Sequence, residues 1–315
     1  MIYSAEEVFM NTIIRIQIVS NQGTIFTKEK LYKAFDCFKY VVDKFSRFKK
    51  DSELSLLNTG KIKDGIVSQE LFDLINLTLK ASKETDGIYD PTIIDLLELY
   101  GYDEKGSFSG LSNKKLSDEV IIMCKNRPSV NDIVLDKKQK KIQLLKNQKI
   151  DLGSVGKGYA VDLAYDFLRK FNFDGILINA GGDIRSFGVN AHGLPWTIAL
   201  YRAELPNNAI DHNTKIEGNS WGSVVLENES ISGSGGWARK VGVFHHLLNP
   251  KTGFPINEVS QSFVIAKTAT ESDLYSTILF LLGPNGLSLI SKKGLKGFVV
   301  DYKGNIFKST DINYF

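Results

Sequence analysis

An α+β fold is what this sequence predicts, and three observations carry the prediction. Strand-like and helix-like segments come in antiparallel-looking groups and not in a steady βαβα alternation, which argues against a doubly wound parallel sheet. With 315 residues and 43% hydrophobic content, the chain can bury a substantial core, as one large domain or as two halves sharing a site. A strand-like run also meets three closely spaced glycines, Gly153, Gly156 and Gly158, and passes into helical spacing.

Taken in order, residues 12–19 (TIIRIQIV) alternate with β-branched side chains and end in the turn Asn21-Gln22-Gly23, so they read as a strand. Thr27 is the expected cap of a long amphipathic helix facing inward with Leu31, Ala34, Phe35, Phe38, Val41, Val42 and Phe45, and ending near Ser46. A second helix is expected from Ser68, with Leu71, Leu74, Ile75, Thr78 and Leu79 on its face, until Asp86-Gly87. Residues 87–92 begin in loop because Pro91 disfavours a helical Asp90, and residues 93–100 follow as a short helix.

Residues 107–132 show no regular pattern. Strands are expected at 132–135 and 141–145, with the whole run KIQLLKNQKIDLG β-like up to the glycines. After the glycine stretch and its helix, strands are expected at 175–178, 196–201 and 223–226, with a polar, mobile segment at 203–220. The C-terminal third adds a strand SFVIAK and a helix at 270–283 facing inward with Leu274, Ile278, Leu281 and Leu282.

Composition narrows the function classes. The net charge is +3 and the lysines are scattered or sit in short turns such as Lys137, Lys138, Lys140 and Lys141, which predicts a solvated surface and no nucleic-acid stripe. Cys37 and Cys124 lie in apolar periodic runs without metal spacing, so neither a disulfide framework nor a zinc site is implied. The opening residues lack a basic segment followed by a long apolar run, and they carry no lipidation cysteine. A cytoplasmic chain with no membrane span is therefore expected as written, an exported form with a trimmed leader being the alternative.

Several clusters are suited to chemistry. Glycines at a helix start let a ligand approach the backbone, and the free N–H groups there favour phosphate. The stretch IDLGSVGKGYAVDLA fits neither a Walker loop nor G-x-G-x-x-G, and a purely structural turn is the competing reading. Asp273 and Thr277, four apart on a helix, turn two oxygens to one side, as a hard cation such as Mg²⁺ accepts. An Asp near the helix dipole beside a surface Thr explains the same spacing. His246 precedes the turn Asn249-Pro250-Lys251-Thr252-Gly253 and suits proton transfer or phosphate binding, or is a surface histidine beside His245. Asp90 either caps the helix after it or holds a polar ligand edge.

The order of these segments is more specific than any one. Met10-Asn11-Thr12, SRFKKDSELSLLN, TDGIYDPT, IDLGSVGKGYAVD, INAGGDIRSFG, ISGSG with a following Arg, HLLNPKTG and ESDLYSTILFLLG resemble the successive signatures of the ApbE-like FAD:protein FMN transferases, from about residue 8 to the end. The resemblance implies a T-fold-like, mostly antiparallel α+β unit over 1–315, of two interlocked halves with FAD between them. It implies an enzyme that uses Mg²⁺, takes FAD as substrate, passes FMN to a Ser or Thr of an acceptor flavoprotein and releases AMP. An FAD pyrophosphatase and a non-catalytic FAD binder are the alternatives.

By the same resemblance, the metal ligands are Asp273, Thr277 and the Gly156 carbonyl, and His246 with Asp273 is catalytic. Flavin and adenine contacts fall on Met10, Phe48, Ile88, Tyr89, Asp90, Gly153, Tyr159 and the Leu248 backbone, with Lys157 and Asp151 behind them. A bulky side chain at position 156 is expected to harm the site by displacing backbone. Asn11, Asn249, Glu271-Ser272 and a longer segment at 234–237 depart from the family pattern.

Overall fold

The computed structural model describes residues 1–102, 113–145, 147–202, 220–236, 240–241, 244–312 and 314–315, with backbone only at 113–116, 240, 241 and 244. In chain order the elements are β1 (Ile2–Phe9), β2 (Thr12–Val19), α1 (Thr24–Phe45), α2 (Glu53–Asn58), α3 (Gln69–Glu84), α4 (Ile94–Leu99) and α5 (Asn113–Asn126). Next come β3 (Val134–Asp136), β4 (Lys141–Gln143), α6 (Gly156–Leu168), β5 (Gly175–Ala180), β6 (Asp183–Gly188), β7 (Trp196–Tyr201), β8 (Ser220–Leu226) and β9 (Ser230–Gly235). The chain closes with β10 (Lys240–Val241), β11 (Phe244–His245), β12 (Val259–Ala266), α7 (Ala269–Leu282), α8 (Leu287–Lys292), β13 (Lys296–Asp301) and β14 (Ile306–Lys308).

Eight strands form one sheet in the order β1-β2-β5-β6-β9-β12-β13-β14, and every pairing in it is antiparallel. The α+β class follows. On one face, Ile14, Ile16 and Ile18 of β2 and Ile176 and Ile178 of β5 meet Phe35, Phe38 and Val41 of α1, Val161 and Ala164 of α6, and Ile278 and Leu279 of α7. Each such buried aliphatic side chain is worth about 1.5–3 kcal/mol over an exposed one. On the other face the β7–β8 hairpin covers Ile184, Ile231, Ile265 and Phe298 with Leu200, Val224 and Leu226. Alternation along β9 thus splits its residues, Ile231 to one layer and the serines to the other.

Some elements differ from the sequence reading. The first strand, β1, escaped it because this edge strand buries only Tyr3 and alternates weakly. Helix α1 starts three residues before Thr27, whose hydroxyl turns back to the Gly23 carbonyl at 3.1 Å inside the first turn. Residues 113–126, without a clear pattern, form α5. The β-like run ends at Gln143, since Asn147 has φ +69° and the Gln148 side chain takes the Leu145 N–H at 2.8 Å. In α7, Leu281 and Leu282 pack against the core half-buried, and Leu279 and Phe280, which the sequence reading left out, are fully buried. The polar segment expected at 203–220 lies, apart from Ser220, outside the described residues. The stretch Ala269–Lys292 is long and apolar enough to cross a membrane, but half of it is buried, and Gly283 at φ +60° ends α7 within it.

Candidate active site

The site is built around a joint between α6 and α7. Helix α7 has two caps: half-buried Thr268 takes the Glu271 N–H, and buried Asp162 of α6 reaches across to take the N–H groups of Ala269 (2.7 Å) and Thr270 (2.8 Å). The same carboxylate accepts the Thr270 hydroxyl and Arg185 Nη1, both at 2.6 Å. A second link runs the other way, from the Gly158 N–H to Asp273 Oδ2 at 3.0 Å. Gly158 permits this approach, since a Cβ there would stand 2.6 Å from the Ala269 carbonyl carbon and 2.9 Å from Asp273 Cβ, and would overlap the carbonyl oxygen.

These contacts decide what Asp273 is. It lies in the second turn of α7, is 5% exposed, and spends one oxygen on α6, so it is no dipole-capping surface residue. Lys157 stands 3.9 Å from its Oδ1 and forms a close ion pair with buried Asp183. Thr277, one turn on, is half-buried, with its hydroxyl 3.3 Å from Ser234 Oγ. Gly156 opens α6, and open space lies where its Cβ would be. A methyl group alone would meet no neighbour at Gly156, and the glycine crowded at its Cβ is Gly158.

The turn before α6 is held by polar clamps. The Asn58 side chain pairs with both backbone groups of Ile150, taking its N–H at 2.8 Å and donating to its carbonyl at 2.9 Å, as a neighbouring strand would. The Asp151 N–H donates to the Pro91 carbonyl (2.8 Å), while its carboxylate takes the Gly153 N–H (2.8 Å) and lies 3.6 Å from Arg47 Nε. Tyr89 is hydrogen-bonded to Ser154 at 2.6 Å. Burial raises this phenol well above its ordinary range, and the negative charges of Asp151, Asp273 and Asp90 push the same way. Tyr89 therefore stays protonated beside three carboxylates.

Asp90 is neither a helix cap nor an open ligand edge. One oxygen takes the N–H and hydroxyl of Thr92, both at 2.7 Å, and the other pairs with Arg127, just past the end of α5, at 3.1 Å. Ile88 beside it is half-buried, held through its N–H to the Thr85 carbonyl at 3.0 Å. Phe48 is 46% exposed, the Arg47 guanidinium stacks on its ring at 4.1 Å, and Arg47 Nη2 donates to the Tyr102 carbonyl at 2.8 Å. The Tyr102 ring in turn lies edge-on to His246, 6.1 Å between centroids.

The two adjacent histidines have separate roles. His245 is buried against Phe280, accepts the Leu247 N–H on Nδ1 (3.2 Å) and so donates from Nε2 to the Ile256 carbonyl (3.0 Å), which fixes a neutral core tautomer. His246 is half-buried and turned toward Tyr102. Its loop closes through a backbone bridge between Leu248 and Pro255, and the Leu248 side chain joins Leu96, Leu97, Tyr100 and Val120 in one apolar cluster. Gly253, at φ +77°, lets the turn lie against α5, since a Cβ would come within 2.7 Å of Cys124 Sγ.

Two expected contacts stand apart from this set. Met10, with φ 52°, forms the β1–β2 turn and packs half-buried against the main core, and Thr12 of that turn lies against the Gly181 turn before Asp183. Tyr159 projects from α6 toward α1, edge-on to Phe45 at 5.9 Å, and burial with nearby Glu70 pushes its phenol up to about 12. Asn58, Arg47, Asp162 and Arg127 were missed as site-building residues. Asp162 alone left a clear signal, an acid between Val161 and Ala164 on the apolar side of a helix.

The donor set can be weighed for a metal. Among the described residues no three His, Cys, Asp or Glu side chains cluster as a chelating site. One carboxylate, one hydroxyl and one main-chain carbonyl are instead hard oxygen donors, suited to Mg²⁺ that completes its shell with water and ligand phosphate. The residues fit that group.

Fold and site together define a class: an antiparallel α+β protein in which a carboxylate, a hydroxyl and a lysine gather where two helices meet. The particular family follows from comparison. Residues 10–299 match the model of the ApbE family, and the chain belongs to that family. It is 28% identical over 293 residues to the FAD:protein FMN transferase of Escherichia coli K12, covering 90% of this chain and 78% of that protein. The FAD:protein FMN transferase of Haemophilus influenzae is 27% identical over 310 residues, covering 95% and 86%. The crystal structure of the ApbE protein of Thermotoga maritima superposes with a TM-score of 0.81 at 25% identity, covering 98% of this chain and 97% of that one. The flavin transferase ApbE of Vibrio cholerae shares the fold, with a TM-score of 0.79 at 20% identity and coverage of 98% and 96%.

Proposed function

We propose that this protein is an FAD:protein FMN transferase that moves FMN from FAD to a Ser or Thr hydroxyl of an acceptor flavoprotein and releases AMP. The observation that carries the reading is the meeting of Asp273 and Lys157 at the start of α6. A helix N-terminus, an ammonium and a metal-competent carboxylate there form a receptor for a pyrophosphate. The names of the relatives supply the substrate.

In this reading Asp273, Thr277 and the Gly156 carbonyl hold Mg²⁺, which when bound supplies charge neutralisation to the pyrophosphate. Lys157 faces the same charge, and the first N–H groups of α6 orient the phosphates. His246 takes the proton of the incoming hydroxyl. The hydroxyl oxygen bonds to the FMN phosphorus as the bond to the AMP oxygen breaks. Positioning and charge supply most of the acceleration.

The test is purified protein with FAD and Mg²⁺, followed for AMP, FMN and protein-bound flavin, with and without an acceptor carrying a Ser or Thr site. AMP release that requires acceptor and leaves flavin on it supports the proposal. AMP and free FMN without acceptor would make the protein an FAD pyrophosphatase, and intact bound FAD a carrier. His246→Ala is expected to slow transfer by about 10²–10⁴-fold, the usual worth of a general base.

A further inference from the structure

Strand β9 turns Ser230, Ser232 and Ser234 to α7, which answers with Ser272 and Ser276 one turn apart. Each hydroxyl owns one proton, so the donors can be assigned by counting. The Ser276 hydroxyl donates to the main-chain carbonyl of Asp273 at 2.9 Å. Its oxygen must then accept in the 2.8 Å contact with Ser234, which uses the Ser234 proton. Ser234 is left to accept in its 3.3 Å contact with Thr277, so the Thr277 O–H points at Ser234.

The other serine group behaves differently. Ser230 donates to the Ile184 carbonyl at 2.6 Å and contacts Ser272 at 2.8 Å, as does Ser232, and none of them touches Thr277 or Asp273. That group ties β9 to α7 and ends on backbone. Only the Ser234 relay begins at a residue assigned to the cation.

We propose that Ser234 is a positioning residue for the metal ligand Thr277. By taking the threonine proton, it turns the lone pairs of Thr277 Oγ1 away from β9 and toward the position beside Asp273. The relay Thr277 to Ser234 to Ser276 to the Asp273 carbonyl thus ties the Thr277 hydroxyl to the main chain of Asp273 through one set of hydrogen bonds. The inference rests on the reading of Asp273 and Thr277 as cation ligands.

The test is the Mn²⁺ dissociation constant, read from the electron paramagnetic resonance signal of free Mn²⁺ with FAD present. Ser234→Ala is expected to weaken Mn²⁺ binding about tenfold, the low end for an outer partner of a metal ligand. Ser234→Thr is expected to bind like wild type, and Ser234→Ala to add nothing in a Thr277→Val background. Unchanged affinity in Ser234→Ala, or equal loss in both backgrounds, would overturn the relay. Wild-type affinity in Asp273→Ala would overturn the metal reading beneath it, which keeps the two failures apart. Should Ser234→Ala not fold, Ser234→Thr and Ser234→Val, equal in shape, give the same comparison.

Discussion

The α6–α7 joint and the loop that carries His246, the two walls of the proposed site, are tied to the rest of the fold in different ways. At the joint, hydrogen bonds from buried donors end on Asp162 and Asp273, and the backbones touch at Gly158. The loop around His246 is closed by its own local hydrogen bonds, Ile256 N–H to the Leu247 carbonyl and Asn249 N–H to the Phe254 carbonyl, and it docks on α4 and α5 by apolar packing through Leu248, Leu96 and Val120, with Gly253 lying against Cys124. Directional bonds in a low-dielectric setting fix atoms closely, while apolar packing tolerates small shifts. A rigid wall suits the pyrophosphate and its cation.

Substitutions can break this contrast, and the largest effect is expected at Asp162. Asp162→Ala removes the acceptor of two N–H groups, a hydroxyl and an arginine, and should cost about 3–5 kcal/mol, as breaking a buried charge network does; denaturant unfolding reads it. Gly158→Ala should follow at about 1–3 kcal/mol from overpacking, with weakened Mn²⁺ binding because α7 is pushed off α6. Gly253→Ala should cost about 1–3 kcal/mol through its left-handed backbone and crowding on α5. That change should lower the transfer rate and leave Mn²⁺ affinity alone, which separates the two walls. Gly156→Ala should lie within about 0.5 kcal/mol of wild type, the range of a change that meets no neighbour. Equal effects at Gly156 and Gly158 would remove the distinction drawn between them.

Much of this was legible in the sequence where a pattern is local. The Ser68 cap, the helix periodicity of 69–84 and the strand 196–201 follow from neighbouring residues alone. So does the placing of Asp273 and Thr277 on one side of α7. Contacts across the chain were not legible. Nothing near Asp162 says that it caps a helix over a hundred residues later, and nothing near Asn58 says that it stands in for a strand beside Ile150. Gly156 and Gly158 look alike in the motif, and only the approach of Ala269 tells them apart. Asp90 similarly showed its turn in sequence but not its ion pair with Arg127.

The central claim is that the α6–α7 joint handles the pyrophosphate and its cation through Asp273. The direct measurement is AMP release from FAD, with Mg²⁺ and an acceptor flavoprotein, by wild type and Asp273→Ala at matched folded concentration. Asp273→Ala should release no AMP above background at any Mg²⁺ concentration where wild type is active. Undiminished AMP release by the variant would contradict it.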